Sequence, residues 1–194
     1  MRKVYAMDFD GTLTTRDTLL AFIRYAKGTT AFWQGFFLHV PWLVLMKLGL
    51  YPNWKTKQRV FAWFFEGMAI EAFDTLCRAF AKDNRHLLRP LGMEAIEKAR
   101  SEGAEVMVVS ASIDNWVQPF FPDVKVIGTQ VEVRDGRLTG RFLTKNCYGQ
   151  EKVKRILEYL PDRKAYQLIA YGDSRGDKEL LAFADEAHYK PFRL

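Results

Sequence analysis

Four short segments carry the side chains best able to do chemistry. The first is Asp8-Phe9-Asp10-Gly11-Thr12-Leu13-Thr14. Two acids at i and i+2 on a strand point to the same side, and a turn helped by Gly11 lets the second swing across a substrate. One carboxylate can then attack phosphorus while the other acts as acid and base. Calcium loops and plain surface turns share the Asp-x-Asp-Gly pattern. An EF-hand is disfavoured, because its twelfth-position glutamate would fall on Leu19. The second segment, Ser110-Ala111-Ser112, offers a hydroxyl and backbone amides to phosphate oxygens, although small residues commonly follow buried strands. The third, Gly149-Gln150-Glu151-Lys152, sets a lysine at a helix start, where it offsets charge in a transition state or is simply solvated. The fourth, Gly172-Asp173-Ser174-Arg175-Gly176-Asp177, spaces two acids as a hard cation or a helix N-cap would need them.

The surrounding pattern would bring these segments together. Residues 3–9, 105–110 and 166–173 read as strands with apolar residues on both faces, as in the centre of a parallel sheet. Residues 124–128 read as a fourth. Helical patterns cover 94–101, stopping at Gly103, then 151–160, with Val153, Ile156, Leu157 and Leu160 on one face, and 177–183. Arg134-Asp135-Gly136-Arg137 is a turn signal between two short alternating runs, which predicts a β-hairpin over 131–142. Alternating strands and helices predict an open α/β sheet, whose ligands bind at the carboxyl ends of strands. Three predicted strands end at Asp8, Ser110 and Asp173. Residues from about 15 to 86 break this rhythm and read as mostly helical. The predicted domains are therefore a core of 1–14 with 87–194 and a helical cap of 15–86.

Composition sets the frame. A chain of 194 residues can build one full core and a small second module, and 48% apolar with 27% charged residues suits a soluble globular protein. The net charge of +6 suits phosphate esters, nucleic acid or an anionic membrane surface, and equally a solvated basic surface. Without a block of like charge or a nucleic-acid-binding signature, no nucleic-acid partner is expected. Cys77 and Cys147 are too few for a disulfide framework and predict free thiols in a reducing cytosol. The N-terminus runs straight into an apolar strand, so no signal peptide is expected. The expected location is cytoplasmic, with the inner face of the membrane as a peripheral variant.

Taken together, in order and after successive strands, the four segments resemble the haloacid dehalogenase superfamily over nearly the whole chain. The insertion after Asp8-Phe9-Asp10-Gly11-Thr12 and the Gly149-x-x-Lys152 form are similar to subfamily IB, which contains phosphoserine phosphatase. The resemblance implies a Rossmann-like core with an inserted helical C1-type cap. It implies Asp8 as nucleophile and Asp10 as general acid and base. It implies Mg²⁺ held by Asp8, Asp173 and the backbone carbonyl of Asp10, with Asp177 supporting the metal or Lys152. Phosphate would lie against Ser110, Ala111, Gly11 and Lys152. Relatives that cleave carbon–halogen bonds lack the second acid, and transport ATPases carry threonine there. The reading that results is a Mg²⁺-dependent phosphomonoester hydrolase working through an aspartyl-phosphate. A phosphomutase and a non-catalytic phosphate-binding or membrane-associated module stay as alternatives.

The substrate is less legible: a small phosphorylated metabolite or a lipid phosphate. The positions that read the amino acid in phosphoserine phosphatases fall here on Asp17 and Arg59. Asp17 is also a good N-cap for a helix over 18–26, and Arg59 a plausible solvated helix residue. Ser110-Ala111-Ser112 replaces the usual Ser-Gly-Gly, and Gly176 stands where asparagine is usual. Residues 32–46 form an apolar run interrupted by Gln34, His39 and Pro41. It is shorter than the roughly 18 to 20 residues of a membrane span. It reads as cap core, as a partner interface, or as a bilayer contact over 32–47 with Trp33 and Trp42 at the interface and Lys27, Lys47, Lys55 and Lys57 facing headgroups. Bilayer contact would fit a lipid phosphate such as phosphatidylglycerol phosphate, on which some relatives of the subfamily act. His39, His86 and His188 lie outside the four segments and are not expected to be catalytic. Trp116 is expected to pack in the core or line the site.

Overall fold

Side chains along the strand Glu105–Ile113 alternate between two apolar layers, and that alternation explains the architecture. A computed structural model describes residues 2–193. The chain runs β1 (Arg2–Met7), α1 (Thr18–Lys47), α2 (Asn53–Phe65), α3 (Ile70–Asp83), α4 (Pro90–Ser101), β2 (Glu105–Ile113), a short α5 (Asp114–Val117), β3 (Lys125–Thr129), β4 (Val131–Arg134), β5 (Arg137–Phe142), α6 (Gln150–Tyr159), β6 (Tyr166–Gly172), α7 (Lys178–Phe183) and β7 (Glu186–Tyr189). Met107 and Val109 join Val4, Ala6, Leu168 and Ala170 in the layer that packs on Ile156 of α6 and Leu180 of α7. Val106 and Val108 face the other layer, with Ile96 of α4 and the aromatic residues of the inserted helices. Such two-sided burial is what a parallel sheet requires.

The sheet is fully parallel, in the order β3-β2-β1-β6-β7. Its register sets the site. Met7 pairs with Val108 on one side and Tyr171 on the other. The next residue of each strand therefore carries the chain to Asp8, Val109 and Gly172 along one edge. The edge strand β7 was not expected from the sequence, because Glu186-Ala187-His188-Tyr189 is mostly exposed and shows no apolar run.

Helices fill the inserted segment, as its pattern predicts. Asp17 caps α1, accepting from Leu19 N at 2.9 Å. Gly28 (φ 79°, ψ 168°) divides α1 into two arms, and the second arm continues through Pro41. On that arm Phe36, His39, Leu43 and Met46 turn inward, while Trp33, Phe37, Leu38 and Val44 are exposed. No helix among the described residues is long and apolar enough to cross a membrane.

One aromatic cluster ties this segment to the sheet. Phe22 of α1 stacks on Trp116 at 4.9 Å and meets Phe80 of α3 edge-on at 5.2 Å. All three are essentially excluded from solvent. Burying each contributes about 1.5–3 kcal/mol, so residues 15–86 are anchored rather than merely tethered. The hairpin β4–β5 turns at Asp135 (φ 48°) and Gly136 (φ 72°), the paired positive angles of a type I′ turn. It docks on the insertion: Leu138 and the loop after α2 exchange hydrogen bonds, Gly67 N to Leu138 O at 2.8 Å and Leu138 N to Met68 O at 2.9 Å.

Candidate active site

The chain leaves β1 at Asp8, whose N–H donates to Tyr171 O at 2.9 Å, and then turns sharply. Gly11 makes that turn with φ 81°, and a Cβ there would lie 2.5 Å from Asp173 Oδ2. Glycine is required on both counts. Asp8 is buried, and its Oδ1 accepts from Lys152 Nζ at 2.6 Å. The same ammonium donates to Asp177 Oδ1 at 2.6 Å and to Val109 O at 2.7 Å. All three of its protons are thereby committed. Lys152 is only 1% exposed, so it is a buried cation shared by two carboxylates rather than a solvated helix residue. Burial alone would lower its pKa, but Asp8 and Asp177 hold it above the ordinary lysine range. Burial pushes the Asp8 carboxyl up to about 7, against the pull of Lys152.

Asp177 closes the loop after β6. Its Oδ2 accepts the N–H of Asp173 at 3.2 Å and of Ser174 at 3.0 Å, and the Ser174 hydroxyl at 2.9 Å. Gly172 lets this loop form, since a Cβ there would sit 2.5 Å from Asp177 Cβ. Burial opposes ionisation of Asp177, yet Lys152 and Ser174 hold its pKa below the usual range. Asp173 differs. One oxygen pairs with Arg193, while Oδ1 is buried without a hydrogen-bond partner among the described residues. Asp8, Asp173 and Asp177 each offer an oxygen within 4.8 Å of the others. An orphaned carboxylate oxygen in an all-oxygen cluster fits a hard divalent cation. Both oxygens of Asp177 already accept from donors, which makes it the partner of Lys152 more than a ligand.

Asp10 sits apart from that cluster, on the inserted segment's side. Its Oδ1 accepts from Thr18 N at 2.7 Å and Thr18 Oγ1 at 2.6 Å, and its Oδ2 from the Ser112 hydroxyl. The Thr18 hydroxyl in turn accepts from Trp116 Nε1 at 3.2 Å. Burial and the charge of Asp17 raise the Asp10 pKa, with Ser112 and Thr18 opposing. A fixed carboxyl with a raised pKa is suited to proton transfer.

A cavity of about 300 Å³ joins these groups. Asp8, Asp10, Gly11, Ser110, Ala111, Lys152, Asp173 and Asp177 all line it, as does Asp17, whose capping role is compatible with that position. Arg59 does not. Its guanidinium lies 4.1 Å from the Trp42 ring and donates to Tyr51 Oη at 3.0 Å. The reason is helical periodicity: positions two apart differ by about 200° around a helix, so Lys57 faces the cavity and Arg59 faces away. Sequence reasoning did not single out Lys57 for the cavity, nor Thr18 or Tyr148 at all. Only Thr18 left a trace, as the first residue after a capping acid. Tyr148 explains the departure at Gly176, because any Cβ there would lie 2.5 Å from the tyrosine ring. A larger open cleft of about 850 Å³, bordered by Asp74, Arg78, Lys82 and Asn115, holds none of the sequence-derived site residues.

Comparison with known proteins bears on the fold and the family. Protein CicA of Caulobacter vibrioides is 34% identical over 97% of this chain and 86% of its own length. A solved structure of a protein of unknown function from Bordetella pertussis Tohama I superposes with a TM-score of 0.79 at 19% identity, covering 95% of this chain and 87% of that one. A substrate-bound phosphoserine phosphatase complex superposes at 0.67 with 18% identity, covering 97% of this chain and 86% of that one. Those identities speak to the fold. Residues 6–182, which span Asp8, Ser110, Lys152 and Asp173, match the family described as haloacid dehalogenase-like hydrolase. The chain thus belongs to the haloacid dehalogenase-like hydrolases.

Proposed function

We propose that this chain is a Mg²⁺-dependent phosphomonoester hydrolase that works through a phosphorylated Asp8. The observation that carries the reading is the buried Asp8–Lys152–Asp177 chain at one wall of the cavity, with Asp10 clamped by Thr18 and Ser112 at another. Lys152 fixes Oδ1 of Asp8, and no donor among the described residues occupies Oδ2. That oxygen attacks phosphorus as the ester P–O bond breaks. Asp10 gives its proton to the leaving alcohol oxygen. Asp10 then takes a proton from water as the water oxygen attacks phosphorus, releasing inorganic phosphate and restoring the Asp8 carboxylate. Lys152 opposes the negative charge of the transferring group, and Ser110 with the backbone beside Ala111 and Gly11 positions its oxygens. Asp8, Asp173 and the Asp10 backbone carbonyl would hold Mg²⁺, which supplies charge neutralisation between carboxylate and phosphate when bound.

The substrate in this proposal is a small phosphorylated metabolite or a lipid phosphate. Arg59 faces away from the cavity, so recognition of an amino acid through that arginine is not part of it. The intact set Asp8, Asp10, Lys152 and Asp173 favours turnover over a binding-only role. Two free, buried cysteines fit the proposed cytoplasmic location, and exposed Phe37, Leu38 and Val44 support peripheral membrane contact through 32–47. The test is phosphate release with Mg²⁺ from phosphoserine, phosphoethanolamine, glycerol phosphate, a sugar phosphate and a micellar lipid phosphate. Release that both Asp8→Asn and chelation abolish supports the proposal. No release from any ester, an aryl phosphate included, overturns it.

A further inference from the structure

The cavity at Asp8 has a neighbour. A second cavity of about 300 Å³ lies among the two arms of α1 and α2, and Asp17 and Lys57 stand in the walls of both. Its walls are otherwise largely apolar, with Phe36, Leu43, Val60 and Phe64 among them. Gly35 makes room for this arrangement, since a Cβ there would lie 2.2 Å from the Phe64 ring. Beyond Asp17 and Lys57, three polar residues, His39, Asn53 and Thr56, interrupt the apolar wall. Thr56 is 1% exposed, and its hydroxyl has no hydrogen-bond partner among the described residues. Threonine within a helix commonly bonds back to the carbonyl one turn earlier, and Thr56 does not. His39, also buried, bonds through Nδ1 to Gly35 O at 2.7 Å. A mere packing void between helices is expected to be lined by apolar atoms alone. This one keeps a buried hydroxyl without a partner among the described residues, and it shares Asp17 and Lys57 with the cavity at Asp8.

We infer that this second cavity receives the leaving group of the phosphate ester, and that the leaving group carries a single apolar chain. At roughly 30 Å³ for each water-sized group, the space takes on the order of ten carbons. Asp17 and Lys57, at the junction, meet the polar segment between phosphate and chain, and Thr56 offers one hydrogen bond farther in. The inference rests on the phosphatase reading for the placement of the phosphate, but its test does not need turnover.

The experiment is calorimetric binding of n-alkylphosphonates, methyl to dodecyl, to the full chain with Mg²⁺, below their micelle concentrations. Phosphonates keep the phosphate-like head and have no ester bond to break. Affinity is expected to rise about two- to fourfold per methylene and to level off near ten carbons. Val60→Phe, which fills the cavity, should cut the decyl-to-methyl affinity ratio at least tenfold. Leu43→Trp, on the opposite wall, takes its place should that variant fail to fold. A flat series in the wild type, or an equal gain in the filled variant, overturns the inference, the latter because it reports adsorption elsewhere. A steep, fillable series with no ester hydrolysed would keep the cavity assignment and sink the phosphatase reading. Hydrolysis of ethyl phosphate with a flat series would do the reverse. Supplying decyl phosphate dissolved or in phosphatidylcholine vesicles then separates a soluble amphiphile from a membrane-borne one.

Discussion

Lys152→Met isolates the role of the buried cation, because methionine keeps most of the stem and removes the charge. Three hydrogen bonds go with it: to Asp8 at 2.6 Å, Asp177 at 2.6 Å and Val109 O at 2.7 Å. Two carboxylates are then buried without their counter-charge. Removing one member of a buried pair costs about 3–5 kcal/mol, chiefly because the remaining charge is left unpaired. The sign with pH follows. Asp8 is already raised to about 7 by burial, and losing Lys152 raises it further and lifts Asp177 out of its depressed range. Groups raised in the folded state favour folding at low pH and lose that contribution as pH climbs through their folded pKa. The deficit of Lys152→Met should therefore be larger at pH 8 than at pH 6. Urea unfolding at the two pH values measures it. The double variant with Asp177→Asn should recover at least about 1 kcal/mol, since one unpaired charge is gone. A loss under about 1 kcal/mol at both pH values, or no recovery in the double variant, would refute the argument that this lysine neutralises two buried acids.

Three smaller perturbations test the rest of the site and its frame. Thr18→Val removes the hydroxyl that holds Asp10, and kcat should fall roughly 10- to 100-fold, within the range of acid–base catalysis, with Thr18→Ser restoring most of it. Gly11→Ala forces a left-handed residue at φ 81° and a Cβ against Asp173; unfolding should show a loss of about 1–2 kcal/mol and thermal scans a smaller Mg²⁺ stabilisation. Asp185 is held below the usual carboxylate range by Leu168 N–H and by Arg163. Its stabilisation is present above the unfolded pKa and lost as pH falls through the folded one. Asp185→Asn should cost at most about 1 kcal/mol at pH 7, because the pair is solvent-screened, and nothing in strong acid; a gap that persists in acid would point to a different cause.

Apolar runs made three central strands legible, and Asp135-Gly136 made the hairpin legible, because both signals are local. What the sequence pattern could not convey is where the hairpin docks. Its partner is the loop after α2, more than sixty residues earlier, met through Gly67, Met68 and Leu138. β2 runs on to Ile113, past the Ser110 where its apolar run stops, and slips register with β3 between Val109 and Ile113. The acids and Lys152 stood out by type and position after strands. Arg59 misled because a positional match ignores which helix face a residue takes. Tyr148 was silent, and Thr18 showed only as the residue after a capping acid, because a ring and a hydroxyl acquire meaning only from the neighbour they touch.

The central claim is that Asp8 becomes covalently phosphorylated. The direct measurement is acid quenching of the enzyme during turnover of a hydrolysed ester, reduction with borohydride, and peptide mass spectrometry. An acyl phosphate on Asp8 is reduced to the corresponding alcohol, whereas a free carboxylate is not. The account predicts homoserine at position 8 in quenched wild-type enzyme and none without substrate. Sustained turnover with position 8 unmodified, or modification at another carboxylate, would contradict it.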